Sequence, residues 1–155
     1  MEMPRPGPQH AALQAFTGIW QGTERMPPSQ WVPEESSADG RVVNRPGPGG
    51  FSVIQDYVQS SGGAVRFEGH GIFTWDAAAN EYCFYWMDSI GGPMEQFRGN
   101  VQGKTWTFVS THPQGQMRSI WTFEAPERYR HEMATSTDGE NWAVMMTGEY
   151  RKVGA

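Results

Sequence analysis

Few residues in this chain have the chemistry for catalysis or metal binding, and they are scattered. The candidates are four histidines (His10, His70, His112 and His131) and a single cysteine, Cys83. No two of these sit at ligand spacing, so no metal site is expected. The motifs G-x-S-x-G and H-E-x-x-H are absent, no glycine-rich loop opens a helix, and the serines fall mainly in turns. His131 stands apart because Tyr129, Met133 and Thr135 share its face of a strand, whereas Arg130 and Glu132 occupy the other. A histidine on a buried face must be satisfied by a neighbouring hydroxyl or carbonyl, or contact a ligand, or hold a haem iron. Paired with Asp56 or Asp88 it could serve as an acid–base group of an isomerase or lyase, although the spacing does not itself bring them together.

Two further charged residues are candidates for a site. Arg98 lies in M-E-Q-F-R-G-N-V, a segment whose alternation allows either face inward; pointing inward, Arg98 would anchor a carboxylate or another anion. Asp88 ends the run E-Y-C-F-Y-W-M-D. It can pair with Arg98 or cap the turn at Ile90-Gly91-Gly92.

These residues must be positioned by strands. Leu13 is the only leucine, and the apolar mass comes from Val, Ile, Trp, Phe, Tyr and Met, residues that suit a pleated surface better than an amphipathic helix. Nineteen glycines and eleven prolines supply turns. From Phe51 onward, alternating segments are separated by turn signals such as S-S-G-G, D-A-A-A-N, I-G-G-P, H-P-Q-G and T-D-G. With T-G-I-W-Q-G-T-E-R and Gly40–Arg45, about ten strands are expected. An open sheet of that width would curl or split, so the expected fold is all-β, a closed antiparallel up-and-down barrel preceded by a short helix over Gln9–Phe16. Residues 1–8 read as a flexible Pro-rich lead-in and 9–155 as one barrel domain, with 26–50 a long Pro/Gly-rich connection that could form a lid.

Alternation places Trp106, Trp121, Tyr129, His131, Met133, Trp142, Val144, Met146 and Tyr150 inside, with Tyr82, Phe84 and Trp86 on the same side and Asp88 at the rim. The inward glycines Gly69 and Gly71 suit close approach of another group. The candidate pocket is therefore His131, Trp86, Tyr129, Trp121, Trp106, Trp142, Met146, Met133, Arg98 and Asp88. Its expected partner is a small hydrophobic or aromatic molecule, and no cofactor is expected unless His131 ligates haem. Cys83, Tyr85 and Met87 form an apolar strip on the outer face that needs a cover, and a homodimer through that strip is one expectation. Self-association as the main role and the barrel enzyme built on His131 are the alternatives to ligand binding. A net charge of -5 argues against nucleic acid or an anionic membrane, and no membrane partner is expected. One cysteine forms no internal disulfide, and the N-terminus lacks an apolar signal core, so the expected location is the cytoplasm.

Several stretches together resemble a known family. They are L-Q-A-F-T-G-I-W-Q-G, G-G-F at Gly49–Phe51, W-D-A-A-A-N-E-Y, Y-W-M-D-S, F-R-G-N-V-Q-G-K-T-W and the terminal M-T-G-E-Y-R-K. The chain is similar over about residues 9–153 to the bacterial family of domain of unknown function 1579, within the calycin group that holds lipocalins. The resemblance implies a lipocalin-like barrel and supplies no catalytic residues. It also implies that Trp20 closes one barrel end with a late arginine, Arg151, packed across it.

Overall fold

The computed structural model describes all 155 residues. The alternating segments become ten strands: β1 (Gly18–Met26), β2 (Ser36–Pro46), β3 (Ser52–Ser61), β4 (Ala64–Asp76), β5 (Glu81–Asp88), β6 (Glu95–Gln102), β7 (Thr105–His112), β8 (Gly115–Ala125), β9 (Arg128–Ser136) and β10 (Ala143–Gly154). Each pairs antiparallel with its sequence neighbour, and β1 pairs with β10 to close the barrel. Closure leaves no unpaired edge. At the β3–β4 turn, Gly62 and Gly63 have φ of 60° and 79°, the conformation that a two-residue hairpin matching strand twist requires.

The expected helix is a six-residue α1 (Pro8–Leu13) continued by a 3-10 turn over Gln14–Phe16. Proline at its first turn is preorganised for the helix, since its missing N–H would have had no partner there. So short a helix is stable only when docked. Leu13 and Phe16 are buried in the barrel core, and the Tyr82 hydroxyl donates to the Gln9 carbonyl at 2.9 Å. Phe16 plugs the end of the barrel at which β1 begins. Its ring stacks on Phe73 at 4.3 Å and meets Trp106 and Phe123 edge-on at 5.0 and 5.3 Å. Its carbonyl accepts from Trp20 Nε1 at 3.0 Å and Asn44 Nδ2 at 2.7 Å, tying the plug to β1 and β2.

Two expectations need correction. The connection after β1 spans only residues 27–35, because β2 starts at Ser36 and pairs along the whole of β1. Ser36–Gly40 has weak intrinsic strand preference, but Ala38 and Gly40 are small enough to face a crowded interior, and pairing overrides propensity. In β10, an irregularity between Val144 and Met146 inserts one residue opposite β9. Such a bulge reverses which face every residue beyond it presents. Met146, Gly148 and Tyr150 keep the inward phase, and Trp142 and Val144 turn outward.

Gly69 and Gly71 serve the close approach expected of them. A β-carbon on Gly69 would lie 2.0 Å from the Trp86 ring, and one on Gly71 would lie 2.5 Å from Phe84. The two rings occupy the space a side chain on β4 would otherwise fill.

Phe16→Ala would empty the plug. The expected loss of stability is about 3–5 kcal/mol by denaturant titration, the range for deleting a buried phenylalanine, with the slope of the transition unchanged.

Candidate functional site

The interior has two unequal halves. Around Phe16, the inward side chains Trp20, Val53, Phe73, Tyr82, Phe84, Trp106, Phe108, Trp121 and Phe123 are all buried in one aromatic-rich cluster. Toward the other end, the inward side chains Gln59, Phe67, Trp86, Met117, His131, Met133, Thr135 and Met146 all keep solvent-accessible surface. Since these point inward, that surface faces the lumen. The interior is therefore packed shut at the α1 end, and its partly accessible inward side chains lie toward the end bearing the 27–35, 62–63, 89–94, 113–114 and 137–142 connections.

His131 sits at the boundary. β9 places it inward, opposite Trp121 on β8 and Gly148 on β10. Its ring lies parallel to the Trp121 indole at 4.4 Å and 8°. Nε2 is 3.4 Å from the hydroxyl of buried Ser119. Burial disfavours the imidazolium and lowers its pKa to about 3, so the ring is neutral at physiological pH. A neutral imidazole held against an indole can give or accept one hydrogen bond with a lumen molecule. It has no carboxylate partner of its own.

The second polar feature was not among the expected residues. Glu24, fully buried on β1, points inward in phase with Trp20 and Gly22. The Tyr57 hydroxyl donates to both its carboxylate oxygens, at 2.5 and 2.7 Å, and Gln59 Nε2 reaches that hydroxyl at 3.3 Å. The Tyr150 hydroxyl also approaches it. Desolvation raises the Glu24 pKa, and the tyrosine hydrogen bonds oppose that shift without cancelling it. Burial and the Glu24 charge push the Tyr57 and Tyr150 hydroxyls above their ordinary range, so both remain donors. The signal was legible: Glu24 lies four residues after inward Trp20 in an alternating strand, which puts a carboxylate inside.

At the open rim, Trp86 Nε1 donates to Asp88 Oδ2 at 2.9 Å, and the other Asp88 oxygen accepts from the Ile90 amide at 3.0 Å. Asp88 thus has the turn-capping role. Across the mouth, Glu95 Oε2 accepts from buried Ser110 at 2.9 Å and lies 2.7 Å from His112 Nε2. Serine and imidazole share one carboxylate oxygen, which is not the linear relay of a nucleophilic triad.

Two expected pocket residues, Arg98 and Trp142, lie on the outer face, and two more, Trp106 and Tyr129, are sealed in the core. Arg98 is on the outer face, because Phe97 and Glu95 take the inward phase of β6; it pairs with Glu81 at 2.9 Å and Asp76 at 3.1 Å, and not with Asp88. Its register partner is Cys83, so the guanidinium bridging β4 and β5 covers the thiol, which is buried by this chain alone. Tyr85 is half-buried with its hydroxyl 3.3 Å from Gln96, and Met87 stays exposed. Trp142, beyond the bulge, lies outside beneath Arg118, whose guanidinium carbon is 4.2 Å from the ring centroid. Trp106 is inward but sealed against Phe16 and Tyr82, as Tyr129 is between Trp20 and Tyr150. Over Trp20 the cation is Lys152 at 5.8 Å; exposed Arg151 instead lines an outer groove with Arg41 and Arg128. Asp56 also faces out, held between His70 at 2.7 Å and Arg45 at 2.8 Å, so neither aspartate proposed as its acid–base partner reaches His131. No group of three or more His, Cys, Asp or Glu side chains is placed to hold a metal ion.

The depressed pKa of His131 makes folding acid-sensitive. Between pH 6.5 and about 3 the unfolded chain holds a proton there that the folded chain lacks, so stability is full above 6.5 and falls as pH drops through that window. Stability measured against pH should fall less steeply in His131→Gln than in the wild type between pH 6.5 and 4, with the two slopes parallel above 7.

Solved structures with this architecture diverge widely in sequence. Rv2717c from M. tuberculosis superposes with a TM-score of 0.70 at 11% identity, covering 95% of this chain and 98% of that one. The S-type phycobiliprotein lyase CPES of Guillardia theta gives 0.60 at 8% identity, covering 95% and 92%. A de novo fluorescence-activating barrel gives 0.50 at 16%, covering 92% and 97%. At such identities the likeness is one of fold. No curated protein matches the chain. No helix is long and apolar enough to cross a membrane. The model of the family described as protein of unknown function (DUF1579) matches residues 5–152, and the chain belongs to that family.

Proposed function

We propose that the protein binds one small, predominantly apolar molecule in the open half of its lumen. The observation that carries this reading is the division of the interior. One half is packed shut with aromatic rings, whereas the other presents inward Phe67, Trp86, Met133 and Met146 with accessible surface. A protein that needed only a core would gain from filling that half as it filled the first. Methionines adapt to an irregular guest, and Trp86 offers a flat face. His131 beside Ser119 is the polar contact at the base of the site. A concave apolar wall with one or two convergent polar groups is the usual form of a small-molecule site. Acid–base catalysis is the weaker reading, because His131 lacks a carboxylate partner.

Nile red, a neutral dye that brightens in apolar surroundings, tests this reading. The wild type should bind it saturably. Met133→Trp, which puts an indole into the lumen, should weaken binding by about tenfold or more, as expected when the apolar surface offered to a guest is filled. Unchanged dye affinity in that variant, with an unchanged far-ultraviolet circular dichroism spectrum, would overturn the proposal.

A further inference from the structure

The large apolar side chains left exposed are unevenly placed. There are eleven; Met1, Met3 and Val153 lie near the chain ends, and the other eight lie at the open end of the barrel. Five form an arc over three successive connections: Trp31 and Val32 between β1 and β2, Val65 beside the β3–β4 turn, and Ile90 and Met94 between β5 and β6. Trp31 and Ile90 are each 83% exposed, near the tips of their loops. A β-carbon added to any of Gly62, Gly63, Gly91 or Gly92 would meet nothing within 4 Å, so these tips stand clear of the barrel. Exposed apolar side chains gathered on one side of a mouth, and nearly absent elsewhere, mark a contact surface.

Charge selects what that surface meets. The connections at this end carry Glu34, Glu35, Asp138 and Glu140 and no lysine or arginine; at the adjoining strand ends Arg25 and Arg66 are matched by Asp88 and Glu95, so the end as a whole is acidic. Two copies meeting mouth to mouth would set four carboxylates against four, and an anionic bilayer would repel the same groups. A neutral lipid interface has no such cost. Tryptophan is the side chain most at home there, because its ring is apolar and its N–H can stay wet. We propose that the arc of Trp31, Val32, Val65, Ile90 and Met94 docks the open mouth on a neutral lipid surface, so that an apolar guest passes between lipid and lumen without crossing water. The passage of a guest rests on the lumen reading above; the docking does not. This departs from the expectation of no membrane partner, whose charge argument bears on anionic lipid; the placement of these side chains is what points to a neutral one.

The test is co-sedimentation of the full chain with phosphatidylcholine vesicles and with vesicles of phosphatidylcholine mixed with phosphatidylserine. The wild type should partition onto the first and less onto the second. Trp31→Ser with Ile90→Ser should lower partitioning by about tenfold or more, because both side chains lose the apolar surface they would bury. Both are exposed, so circular dichroism and Nile red affinity in solution should match the wild type. The proposal is overturned by no partitioning onto phosphatidylcholine, by stronger binding to the mixed vesicles, or by partitioning unchanged in the double variant. It is also overturned if sedimentation velocity finds a wild-type dimer that the double variant loses, because the arc then serves a second copy. Vesicle binding without dye binding would sink the lumen reading and leave the docking standing.

Discussion

Closure of the ring by the β1–β10 pairing is the constraint from which the other features follow. Ten strands joined edge to edge enclose more space than their inward side chains readily fill, since barrels of about eight strands can already hold a small ligand. The chain meets this at one end only. There it folds its N-terminal segment back so that Phe16 enters the ring, and it commits Trp20 and Asn44 to a single carbonyl that holds the plug. Nothing equivalent exists at the other end, where β1 and β2 are joined by an exposed connection. Partly accessible inward side chains at one end are what closure leaves when only the other end is plugged.

The boundary between the halves carries the polar groups. A carboxylate buried as deeply as Glu24 is tolerated only with donors supplied, and Tyr57 and Tyr150 supply them. Their own burial keeps those hydroxyls protonated, so carboxylate and donors reinforce each other. Gly22, Gly40 and Gly148 provide the room; a β-carbon at Gly40 would lie 2.6 Å from a Glu24 oxygen. His131 is handled differently: it is stacked, left neutral and given one distant hydroxyl. One group is fully satisfied by the protein, and the other retains capacity for a guest.

Much of this was legible in the sequence. Scarce leucine with abundant aromatic and β-branched residues gave the class, and regular turn signals from Phe51 onward gave the strand count. Alternation in β8 and β9 gave the inward placement of Trp121, Tyr129, His131 and Met133. The errors have local causes. A one-residue bulge has no strong sequence mark, so Trp142 was placed a half-period out of phase. In β6 the alternation is weak on both faces, and the register with β5 decided that Arg98 stands outside over Cys83. Ser36–Gly40 looked like loop because its strand is made by its partner and not by its own residues. The division of the lumen could not be read at all, because it depends on how far Phe16 reaches into a ring assembled from distant strands.

The pairing of first strand with last also shapes how the barrel comes into being. Every other strand finds its neighbour across a short connection, but β1 must wait for β10, at the opposite end of the sequence. During synthesis the growing sheet therefore carries two bare edges, β1 and whichever strand has emerged last, until the final strand arrives. Contacts so distant in sequence form slowly, and bare edges invite pairing with other chains. Gln21, Thr23 and Arg25 on β1, with Gly22 among them and an irregularity after Ile19, keep that waiting edge polar and uneven.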